Sequence, residues 1–107
     1  MGFFKRKNEK NVTRDNDFLQ SYATKTQGLL MYAEESEAIT NELLKMVDDF
    51  KYTAPSYSPA AKELEKKIMK DHERLTNMLE QPDCVESEII MTIRAIRRAI
   101  NDISALG

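Results

Sequence analysis

Along Phe18, Tyr22, Lys25, Leu29, Tyr32, Ser36, Ile39, Leu43, Met46 and Phe50, successive positions are spaced alternately four and three residues apart, and all but Lys25 and Ser36 are apolar or aromatic. Such spacing draws one stripe down one side of an α-helix, and that stripe is buried only when the helix packs lengthwise on others. It predicts a single long helix over about 16–51. After it, Tyr52-Thr53-Ala54-Pro55-Ser56-Tyr57-Ser58-Pro59 carries the residues of turns and extended backbone, so a connector is expected there.

Ser58-Pro59 reads as an N-cap followed by proline at the first helical position, where its missing N–H is no loss. A second helix is expected over about 59–81, with the seam Ala61, Leu64, Ile68, Asp71, Leu75 and Met78. Pro82 breaks it. Asp83, with Glu86 three residues on, resembles a capping box and predicts a third helix over about 83–105. The apolar face of that helix holds Val85, Ile89, Ile93, Ile96, Ile100 and Ile103, widened by Ile90, Ala99 and Leu106, enough to touch two neighbours.

The expected fold is therefore all-α, an antiparallel three-helix bundle with an elongated first helix, forming one domain over 16–107 behind a basic tail, 1–15. At 107 residues the chain has room for one core. The first helix outruns its partners. Residues 16–27 are expected either to bend away at Gly28, a residue that costs about 1 kcal/mol inside a helix, or to continue straight as an arm that packs on a second copy of the chain. The second course is favoured, because Phe18, Leu19 and Tyr22 would otherwise form an exposed apolar patch, so a homodimer is expected. Folding about the connector pairs Glu42 with Lys67 and Glu35 with Arg74.

Composition bears mainly on function. Formal net charge is −2, with five basic and two acidic groups in residues 1–15 but three basic and seven acidic in 16–51. Such a balance argues against a dedicated nucleic-acid binder, whose domain pI usually exceeds about 9. Residues 52–61, the longest stretch without charge, fall far short of the roughly 20 apolar residues of a membrane span. Met1-Gly2-Phe3-Phe4-Lys5-Arg6-Lys7 is basic, but no apolar run of a signal peptide follows. Arg6 stands where myristoylation wants Ser or Thr. Cys84 is the only cysteine, which excludes an intrachain disulfide and fits a cytoplasmic protein.

Groups for chemistry are sparse. His72, the only histidine, has Ile68, Met69, Leu75 and Thr76 three and four positions away, so no local second ligand or carboxylate accompanies it, and a solvated or interfacial histidine is expected. Cys84 at a helix start is surrounded by Asp83, Glu86 and Glu88, which offset thiol activation. Gly2, Gly28 and Gly107 are too scattered to cradle phosphate. No catalytic, cofactor or metal site is expected, and no enzyme.

What remains is surface. Lys62, Lys66, Lys70 and Arg74 form a drifting stripe on the second helix, interrupted by Glu63, Glu65, Asp71 and Glu73; Arg94, Arg97 and Arg98 cluster on the third. The leading expectation is a non-catalytic interaction or adaptor module that self-associates or takes a helical partner, through Phe18, Leu19, Tyr22 and the Arg94, Arg97, Arg98 face. The alternative is a peripheral binder of phosphate-rich surfaces, membrane head groups or nucleic acid, through those basic residues together with Phe3, Phe4, Lys5, Arg6 and Lys7.

Overall fold

The computed structural model describes residues 18–81 and 83–106, and among them finds four α-helices and no strand. The first, α1, covers 18–29 and passes into a 3₁₀ turn, Leu30–Tyr32. Then come α2 (Glu37–Tyr52), α3 (Pro59–Glu80) and α4 (Glu86–Leu106). The basic tail lies outside the described residues.

The expected long first helix is thus two helices, and the bundle has four rather than three. Ser36 makes the break: its backbone is extended, and its hydroxyl oxygen accepts from the Ile39 N–H at 3.2 Å, so it caps a new helix instead of filling a seam slot. The turn before it is tied at Ala33, whose carbonyl accepts from the Ser36 N–H at 3.0 Å and the Thr40 hydroxyl at 2.7 Å. Gly28 is helical and lies before the break.

Because the chain reverses at 30–36, α1 folds back along α2. Gln20 near its start donates to the Lys51 carbonyl near the end of α2, and the Tyr22 and Phe50 rings lie 5.9 Å apart. α3 and α4 form a second antiparallel hairpin. The two hairpins lie side by side with α1 along α3 and α2 along α4. Paired residues advance together along α2 and α4, from Ser36–Glu86 through Glu42–Arg94 to Asp49–Arg97, so these helices are parallel. α2 and α3 scarcely touch. The connector 53–58 joins the diagonally placed α2 and α3, and its own Ser56 is buried.

Each helix therefore faces two neighbours and needs a wider apolar stripe than a two-helix seam. On α3 that stripe takes in His72 and Leu79 beside Ile68 and Leu75, while Asp71 stands half-exposed. On α1 it is Leu19, Ala23, Thr26 and Leu29, leaving Lys25 exposed against the face of the Tyr22 ring at 4.8 Å. Leu19 is 3% exposed, and Phe18 and Tyr22 pack on the core, so the expected dimer patch is turned inward.

Two caps differ in outcome. Ser58 caps α3 as expected, accepting from the Ala61 N–H at 3.2 Å with Pro59 at the first position. The Asp83–Glu86 box does not form in that way. The Val85 carbonyl accepts the first bonds of α4, from Glu88 and Ile89, and Val85 is exposed. Glu86 accepts from the Ser36 hydroxyl, so Ser36 both caps α2 and ties the starts of two parallel helices, where the carboxylate offsets two positive helix ends.

Candidate interaction surface

Two polar seams fix which side chains are left over for contacts outside the chain. On the first, between α2 and α4, the buried Glu42 carboxylate accepts from Arg94 Nη2 at 3.3 Å and Nε at 3.4 Å, with Arg97 at 3.8 Å. Arg97 also donates to Asp49 at 2.6 Å. The Arg94 hydrogen bonds hold the Glu42 carboxyl below the usual carboxylate range, against the opposing pull of burial, with Arg94, Lys45 and Arg97 charges helping. The expected partner, Lys67, instead lies 3.5 Å from Asp71 on its own helix. Glu35 and Arg74 show no ion pair among the described residues. The expected register fails because α2 packs on α4, not on α3.

The second seam joins α1 to α3. His72 is 4% exposed, its ring 4.9 Å from Tyr22, edge to face, and 6.4 Å from Phe50. The Thr26 hydroxyl donates to the Tyr22 carbonyl at 2.7 Å, so its oxygen is left to accept from His72 Nε2 at 3.0 Å. That geometry selects the Nε2–H tautomer. Burial, helped by Lys25, pushes the imidazole down to about 4. Burial also pushes the Tyr22 phenol up, and Glu73 adds to it. The histidine expected at the surface or an interface is a core residue between helices.

A further open face lies along α3 and α4. A shallow trough of about 390 Å³ there is lined by Leu64, Lys67, Met91, Ala95, Arg98 and Ala99, together with Arg94 of the first seam. It runs on, through Lys67, Met91 and Ala95, into a second hollow of about 290 Å³ edged by Arg74 and Glu88. The small Ala95 and Ala99 let α3 approach α4 and leave the hollow above them. Met91 stands beside it 69% exposed.

The residues singled out in the sequence are dispersed. Phe18, Leu19 and Tyr22 face the core; Arg94 and Arg97 grip α2; Arg98 alone of the arginines lines the trough without an acidic partner among the described residues. Phe3, Phe4, Lys5, Arg6 and Lys7 lie outside the described residues. Met91 and Ala95 escaped the sequence reading because the isoleucine stripe dominates α4, and Glu88 entered it only as an acid near the helix start. A second rhythm was present in Glu88, Met91, Ala95, Arg98 and Asp102, again at alternating steps of three and four. Among the described residues, no cluster of three or more His, Cys, Asp or Glu gathers as a metal site, and no helix is long and apolar enough to cross a membrane.

Among the described residues the arrangement is all-α, four helices packed together. No protein family, no curated protein and no solved structure matches the chain.

Proposed function

We propose that this chain is a non-catalytic helical interaction module that self-associates. The observation that carries this reading is the α3–α4 trough, which sets the apolar Leu64, Ala95 and Ala99 beside the exposed Met91. The buried polar side chains support it from the other side: Glu42, Thr26 and His72 are engaged in holding helices together. Sedimentation equilibrium of the whole chain at micromolar concentration and moderate salt tests it. A concentration-dependent shift toward the dimer mass is expected; a monomer at all concentrations would leave only a different partner.

A second reading, binding of a phosphate-rich surface, draws on Lys62, Lys70 and Arg74, which have no acidic partner within 4 Å among the described residues. Its signature is a steep loss of binding to anionic vesicles or duplex DNA as salt rises. The informative variant changes Lys62, Lys70 and Arg74 to Gln. Changing Arg94 and Arg97 would instead loosen the α2–α4 seam.

A further inference from the structure

The outer rhythm of α4 has an internal symmetry. Glu88 and Arg98 lie five residues to either side of Ile93, and Met91 and Ala95 lie two to either side. At 3.6 residues per turn, Glu88, Met91, Ala95, Arg98 and Asp102 fall within an arc of about 80°. All five line the trough or the hollow continuous with it. The long Met91 thus has, at the mirrored position, the short Ala95; the acid Glu88 has the base Arg98.

We propose that the occupant of this face is a second copy of the chain, with the two α4 helices antiparallel and level at Ile93; this rests on the self-association reading above. In that arrangement Glu88 of each copy meets Arg98 of the other, and Met91 of each enters the space over the other's Ala95. Every contact is made twice, as a two-fold interface requires. A purely acidic or basic partner fits less well, because the lining mixes both signs: Lys67, Arg74, Arg94 and Arg98 stand among Asp71, Glu88 and Asp102. Lys67 and Leu64 of α3 flank the pairing and widen it beyond a single helix.

The assignment replaces the arm at residues 16–27 with a different surface, and it makes a prediction that a generic sticky patch does not. Sedimentation equilibrium of the full chain across a micromolar concentration series should give a monomer–dimer equilibrium. Met91→Lys should weaken dimerisation about tenfold or more, and Arg98→Glu or Glu88→Arg alone should do likewise, by setting like charges against each other. The double variant Glu88→Arg with Arg98→Glu should return the dissociation constant to within about threefold of the parent, since the swap restores both pairs. Circular dichroism melts of each variant separate lost association from lost folding. A dimer indifferent to all these changes would overturn this face while leaving self-association standing. A wild-type monomer throughout would overturn both, and weak single variants without rescue in the double would overturn the antiparallel pairing.

Discussion

The two seams that join the hairpins solve one problem in opposite ways. Between α2 and α4 the chain places full charges at the rim, Glu42 inward and Arg94 largely exposed, so that only one partner is dehydrated. Between α1 and α3 it buries a neutral imidazole and satisfies one nitrogen with a threonine. A charged pair of this kind fixes register and is sensitive to salt. A buried histidine packs like an aromatic ring but resists protonation. Both seams make the fold more stable as pH rises, in separate windows.

The largest expected effect breaks the comparison by acid. In the unfolded chain His72 should titrate near 6.5, and in the folded one near 4. Between those values the unfolded state binds the proton and the folded state does not, so stability falls as pH falls through this window. The loss should be about 2 kcal/mol between pH 7 and 5 and about 3 kcal/mol by pH 4, read from urea unfolding. His72→Leu should flatten the curve from pH 7 to 5, because Thr26 keeps its own bond to Tyr22. A variant as steep as the parent would mean that other groups carry the slope.

Glu42 sharpens the other side of the comparison. Its carboxyl is held low by Arg94, so its contribution is complete above the unfolded carboxylate range and is lost only as pH falls through the lower folded value. Glu42→Gln should cost about 1–2 kcal/mol at neutral pH. That cost should shrink in high salt, whereas the His72 slope should hardly move. Equal salt responses would erase the distinction between the seams.

How much of this was legible follows from particular residues. All-helical character, the Ser58 cap with Pro59, and the isoleucine face of α4 were readable because each depends on local backbone chemistry or a single period. The break at 30–36 was hidden because Ser36 falls on a seam position, where a polar side chain resembles a tolerated defect. The signal lay in Glu34-Glu35-Ser36-Glu37, a polar run that suits a helix start as well as a helix surface. Once that break is missed, α1 becomes an arm, its neighbours are miscounted, and Glu42 is assigned to Lys67. The burial of His72 could not be read without α1 beside α3. Of the candidate surface, Arg98 was legible by charge, while Met91 and Ala95 required knowing which flank of α4 stays open.

Ser36→Ala tests where the seams begin. It removes the α2 cap and the link to Glu86 together, and should cost about 1 kcal/mol, near the usual value for a cap with an exposed hydrogen bond added. Amide exchange should quicken at Ile39 and in the first turn of α4 more than around His72. A uniform change would show that the helix starts are not coupled through this hydroxyl.

The smallest effect has the opposite sign and returns to the α1 seam. Gly28 lies within helical backbone, and a Cβ built there meets no atom within 4 Å. Nothing therefore requires glycine for space, and its cost is the entropy of an unrestrained backbone in the unfolded chain. Gly28→Ala should stabilise the protein by about 0.5–1 kcal/mol. Because the gain belongs to α1, it should slow amide exchange there while leaving the Glu42 response to salt unchanged. Destabilisation instead would mean that the added methyl costs more in packing than it gains in backbone entropy.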